Sequence, residues 1–135
     1  MYKNILVPIS FGEDRDSKSA LDVAQLLADE GASITLLHVV EQIPTHTMAF
    51  LPPDHLANRR AELERDLTAM AEAVPGAKTA VASGHASRAI LDYVSENKSD
   101  CVVIASHRPG MQDLLLGSTA AKVVRHAGCC VHVIR

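Results

Sequence analysis

The chain has 135 residues, with 13 Lys and Arg against 16 Asp and Glu for a formal net charge of −3, so it carries no broad positive field for nonspecific duplex binding. Its 47% hydrophobic and 21% charged content excludes a disordered tail, and 3% aromatic residues exclude the ring platforms on which single-strand RNA and sugars stack. Nucleic acid is not an expected partner, and the length fits one domain over residues 1–135 whose core needs neither disulfide staple nor structural metal.

At the N-terminus, Lys3 and Asn4 precede only Ile5, Leu6 and Val7 before Pro8, a run too short for a secretory leader. No apolar stretch in the chain approaches the roughly 18 residues of a membrane span, so no membrane is expected. Ile5–Pro8 instead reads as a first strand. Ala20, Val23, Ala24, Leu27 and Ala28 then recur at helical spacing with Asp22, Gln25 and Asp29 opposite, Asp16 or Ser17 capping the start and Gly31 the end. A second strand follows at Ile34–Val40. Glu41–Pro52 reads as a loop with exposed apolar residues and no chemically specific group.

A second helix starts near Pro53, with Leu56, Leu63, Leu67, Met70 and Val74 on one side among Arg59, Arg60, Glu62, Glu64 and Arg65, and Pro75-Gly76 stops it. Thr79–Ala82 is the third strand. A third helix from about Ser87 turns Ile90, Leu91 and Val94 inward, Cys101–Ala105 is the fourth strand, and a fourth helix from Ser118 turns Ala121, Val124 and Ala127 inward before Gly128 caps it. Cys130–Ile134 closes the chain as a fifth strand. Short β-branched runs alternating with helices specify βαβ units and a parallel sheet, and near-continuous apolar strands specify helices on both faces.

Ligands of such sheets lie at the carboxyl ends of the strands, where helix N-termini offer free amides. The common phosphate loops are missing: there is no GxxxxGK[ST], and Pro8-Ile9-Ser10-Phe11-Gly12 is no GxGxxG. A receiver-type phosphoacceptor also fails, since the third strand ends Ala82-Ser83-Gly84 without an Asp. The informative stretch runs from Ala105-Ser106-His107-Arg108-Pro109 to Gly117-Ser118-Thr119 at a helix start. Glycine permits close approach, first-turn amides are unpaired and two hydroxyls can donate to an anion; the alternative is that Ser118 only caps the helix. Arg108 either adds charge to a phosphate or covers the loop.

The seven histidines show neither HxxxH nor HExxH spacing, so each reads as structural or superficial, with His107 excepted by its place in the loop. Cys101, Cys129 and Cys130 form no CxxC pair, which points to a reducing, cytoplasmic compartment; all three read as buried, inert thiols. No complete catalytic triad is present.

Taken in order, these pieces resemble the universal stress protein family. The resemblance rests on Lys3-Asn4-Ile5-Leu6-Val7-Pro8, Leu36-Leu37-His38-Val39, the Gly84 turn before a helix with Ile90-Leu91, Ala105 to Arg108 leading to Gly117-Ser118-Thr119, and the closing strand Cys130–Ile134. It implies an α/β, Rossmann-like fold similar to the adenine nucleotide alpha hydrolases, with a five-stranded parallel sheet of order 3-2-1-4-5. It also implies homodimers, and the last strand, a sheet edge in that order, would pair with its copy.

The ligand implied is ATP or AMP, with Mg²⁺ accompanying ATP. Adenine would sit between the loops after the first and second strands, at Pro8, Ile9, Ser10 and Val39, and phosphates on Ala105, His107, Arg108, Gly117, Ser118 and Thr119. ATP-binding members carry Gly, two residues, Gly, nine residues, then Gly-Ser or Gly-Thr; here Ala105 and Arg108 replace the two glycines and the spacer to Gly117 is one residue shorter. Their ribose-side acid falls on Ser10. Ala-Ser-His-Arg-Pro followed by Leu-Leu-Gly-Ser is similar to a bacterial subgroup also associated with adenine nucleotides. The expected function is an adenine-nucleotide-binding stress-response regulator, the alternative a dimeric protein-interaction module without nucleotide. Enzymatic activity would be at most a slow ATPase, since Asp113 is the loop's only carboxylate.

Overall fold

In the computed structural model the described residues are 1–11, 17–41, 52, 54–106 and 116–135. Five strands, β1 (Tyr2–Pro8), β2 (Ala28–Val40), β3 (Ala77–Ser83), β4 (Cys101–Ala105) and β5 (Cys130–Ile134), alternate with helices α1 (Ser17–Leu27), α2 (His55–Glu72), α3 (Ala86–Asn97) and α4 (Ser118–His126). The strands form one parallel sheet of order β3-β2-β1-β4-β5, as the resemblance implied. No described helix is long and apolar enough to cross a membrane.

The continuous apolar strands make sense once their side chains are sorted by face, because successive residues of a strand point to opposite sides. Ile5, Val7, Ile34, Leu36, Cys101 and Val103 pack with Ala20, Leu21 and Ala24 of α1 and Leu67 of α2. Leu6, Leu37, Val102 and Ile104 pack on the other face with Ile90 and Val94 of α3 and Ala120 and Val123 of α4. The chain therefore winds outward from β1 along one face and returns along the other. Right-handed crossovers give this division when the strand order reverses between β1 and β4.

Asp100 fixes the register there. Its carboxylate accepts from the Lys3 and Asn4 amides at 2.8 and 3.0 Å, and its own amide donates to the Asn4 carbonyl at 2.9 Å.

Several local expectations change. Gly31 does not end the first helix; α1 stops at Leu27, and Ala28 already pairs with Tyr2. The register then jumps to Asn4 with Ser33, so two steps along β1 face five along β2, and Gly31 takes φ +77 within the resulting bulge. Apolar spacing left Ala28 equally suited to either element, and pairing with Tyr2 decided it.

In α4 the inward stripe is Ala120 and Val123, while Val124 is 47% exposed. Adjacent apolar stripes made the helix rotation ambiguous. Gly128 is not a left-handed cap, since α4 ends at Ala127 in extended conformation. Leu56 is 41% exposed, whereas the later residues Leu67, Met70 and Ala71 of α2 pack on the core of the sheet, with Val74 beyond the helix end. The proposed cap Asp16 lies outside the described residues, as does most of the Glu41–Pro52 loop.

Candidate functional site

The strand reversal leaves a cleft of about 380 Å³ at the carboxyl ends of β1, β2 and β4. Pro8, Ile9 and Ser10 form its β1 rim, Leu37, His38, Val39 and Glu41 its β2 side, Ala105 and Ser106 the end of β4, and Gly117, Ser118, Thr119 and Ala120 the start of α4. Eight residues expected at the site from the sequence, Pro8, Ile9, Ser10, Val39, Ala105, Gly117, Ser118 and Thr119, are thus brought together. His107 and Arg108 lie outside the described residues.

The start of α4 is tied to the end of β4. Ser106, 5% exposed, donates its amide to the Ile134 carbonyl at 2.9 Å, and its own carbonyl accepts from the Gly117 amide at 3.2 Å. Gly117 has φ −57, so left-handed backbone is not what calls for glycine. Close approach is: a Cβ at Gly117 would stand 2.7 Å from the Ser106 carbonyl oxygen. Gly117 is also the N-cap residue and has no side chain to satisfy the first-turn amides. Ser118 is therefore the first helical residue and not the cap, with its hydroxyl exposed and Thr119 half-buried beside it. This end of the cleft combines first-turn amides that the N-cap residue does not cap with two hydroxyls, an arrangement that favours an anion.

The sequence matches the model of the universal stress protein family over residues 1–135. The chain belongs to the universal stress protein family. Universal stress protein G of Escherichia coli O157:H7 is 30% identical over 142 residues, spanning all of both chains. Among solved structures, the universal stress protein UspA from Lactobacillus plantarum superposes with a TM-score of 0.81 at 27% identity, covering 99% of this chain and 98% of that one. A family protein from Arabidopsis thaliana, solved with AMP bound, has the same fold at a TM-score of 0.62 and 20% identity, covering 98% and 90%.

In this universal stress protein the cleft holds residues that the sequence reading passed over. Glu41 follows the last residue of β2 and is the one carboxylate among the described lining residues; its place just past a strand end was the available signal. Ser106 carried the same signal after β4. Ala86 and Ile90, from the first turns of α3, carried none, since only the packing of α3 under β2 brings them there. His38 keeps its structural reading, with Nδ1 2.8 Å from the Ile9 carbonyl, but it also lines the cleft. Among the described residues no group of three His, Cys, Asp or Glu side chains could hold a metal ion. The Mg²⁺ expectation gains no support from them.

The thiols lie at the far end of the sheet, and only part of the burial expected for them is found: Cys101 is buried, Cys129 half-buried and Cys130 exposed at the start of an edge strand. Burial pushes the Cys101 thiol up to about 11 and raises Cys129 as well. In the unfolded chain Cys101 loses its proton near 9.0 while the folded protein retains it, so this contribution to stability is complete below that pH and disappears on the way to about 11. Chemical denaturation of the wild type should therefore show stability falling across that window. Cys101→Ala should fall less steeply, and equal slopes for the two would dismiss the buried thiol as the cause.

Proposed function

We propose that this universal stress protein binds an adenine nucleotide, ATP or AMP, in the cleft between β1, β2 and the start of α4, and acts as a stress-response regulator rather than as an efficient enzyme. The observation that carries the reading is the polarity of the cleft. Its α4 end offers amides and the hydroxyls of Ser118 and Thr119, all suited to phosphate, while Pro8, Ile9 and Val39 line an apolar floor toward β1 and β2 that suits a base. Ser10, between them, is a neutral partner for a ribose hydroxyl. The AMP bound to the Arabidopsis relative supports the same ligand class.

The resemblance assigns His107 and Arg108 to the same phosphate end, and both lie outside the described residues. Titration calorimetry with AMP and ATP, with and without Mg²⁺, tests the reading: saturable one-site heat with adenine nucleotides and none with adenosine at equal concentration is expected. Absence of heat with every nucleotide would overturn it.

One observation favours the second reading, a dimeric interaction module without nucleotide: contact with the Ser106 carbonyl explains the glycine at 117 without any ligand. In both readings the proposed homodimer pairs through β5, a sheet edge. The Ile134 carbonyl accepts from Ser106 on the β4 side, so by alternation the backbone groups of Val131 and Val133 face away from β4. Val133→Pro removes only an outward donor. Sedimentation velocity should give a dimer for the wild type and a monomer for Val133→Pro; a monomeric wild type would defeat the proposal.

A further inference from the structure

The β1 rim of the cleft is held from outside its own strand. Ile9 donates its amide to the Leu37 carbonyl at 2.7 Å, one rung past the end of β1. Its carbonyl oxygen lies 2.8 Å from His38 Nδ1, and because a carbonyl only accepts, Nδ1 carries the proton. The Phe11 ring packs on the same imidazole, with centroids 4.9 Å apart and planes tilted by 58°. His38 therefore grips both chain neighbours of Ser10, Ile9 through a backbone oxygen and Phe11 through its ring. Ser10 itself is exposed and lines the cleft between these two anchors.

We infer that His38 is a positioning residue for the ligand site: it sets where the β1 rim stands, and so how Ser10 and the Ile9 backbone meet whatever lies against them. The inference rests on the nucleotide reading for its binding readout and is independent of it for its structural one. Strand β2 supplies the imidazole and β1 the rim, so the cleft's two sides are linked by one side chain. Without the ring, the Ile9 carbonyl loses this donor and the Phe11 ring its aromatic neighbour, while both residues keep their apolar packing beside Ile34 and Leu36 of β2.

The experiment compares His38→Asn, His38→Gln and His38→Ala. The Asn side-chain nitrogen takes the position of Nδ1 and keeps a donor there, whereas Gln, closer to His in volume, carries its amide at the position of Nε2. A role in filling space would rank Gln first; a donor at Nδ1 ranks Asn first. AMP affinity should stay within about twofold in His38→Asn and fall by about tenfold in His38→Gln and His38→Ala, the loss of one hydrogen bond.

Nuclear magnetic resonance of the ligand-free protein supplies the second readout. At neutral pH the His38 ring nitrogens should show Nδ1 protonated, and the Ile9 and Ser10 amide signals should move in Gln and Ala but little in Asn. If the wild type binds no nucleotide, the nucleotide reading fails while the ring and amide signals still decide the role of His38. A ring protonated only at Nε2, or amide shifts in Asn as large as in Ala, would overturn the inference.

Discussion

Gly117→Val should lower the thermal midpoint and remove nucleotide binding together. The added Cβ would stand 2.7 Å from the Ser106 carbonyl oxygen, which is backbone and cannot rotate away. Either the start of α4 moves outward and the Gly117 amide loses its 3.2 Å bond to Ser106, or the end of β4 yields. Overpacking against backbone costs about 1–3 kcal/mol, and a buried carbonyl left without its donor adds about 1 kcal/mol or more.

For a chain of this size, that corresponds to a midpoint lower by roughly 10 °C. The substitution therefore acts through the fold as well as through the ligand. A second variant separates the two effects. Thr119→Ala leaves the Gly117 contact untouched, so it should melt close to wild type while binding AMP several-fold more weakly. An unchanged midpoint in Gly117→Val would show that the tie to Ser106 does not hold α4, and unchanged affinity in both variants would remove the start of α4 from the site.

Leu67→Ala should produce the largest loss of stability of any single truncation in α2. This helix of 18 residues has only Leu63 and Leu67 buried, and Leu67 is fully so, in the cluster that contains Ile34, Leu36 and Val74. Removing its isobutyl group takes away the transfer term and leaves a cavity beneath a helix with few other anchors, for a cost of about 3 kcal/mol. Against a total stability of about 5–15 kcal/mol, that is a large fraction. Leu56→Ala on the same helix, at 41% exposure, should change stability by less than about 0.5 kcal/mol. Urea unfolding of the two variants checks both values. Comparable losses would mean that α2 docks through its first turns instead.

Both results bear on function through one physical route. The cleft has no wall of its own; it is the gap between strand ends whose spacing is set elsewhere, by α2 and α1 on one face, by α3 and α4 on the other, and by the Ser106–Gly117 tie. Affinity for a nucleotide should thus track the integrity of these contacts more closely than the identity of exposed residues such as Ser118.

The alternation of short β-branched runs with helices, the apolar continuity of Ile5-Leu6-Val7 and Cys101–Ala105, and the Gly117-Ser118-Thr119 helix start all act over short range. By themselves they determined the parallel strands and helices of the described residues and the helix start that offers an anion site, while the resemblance supplied the strand order and the strand ends at which a ligand is expected. β4 and β5 begin and end where the sequence pattern puts them, with Ser99-Asp100 before β4 and Gly128 before β5 marking their starts.

Tertiary structure decided what local pattern left degenerate. Ala28 could continue a helix or open a strand, and pairing with Tyr2 chose the strand. Ala120 and Ala121, Val123 and Val124 offered α4 two equal faces, and the tie between Gly117 and Ser106 chose the rotation that buries Ala120 and Val123. His38, Glu41 and Ala86 joined the cleft only because the strand order brings the ends of β2, β1 and β4 and the start of α3 to one place. Helix and strand periodicity report which side of an element is apolar, but the partner of that side is a long-range choice made by the packed sheet.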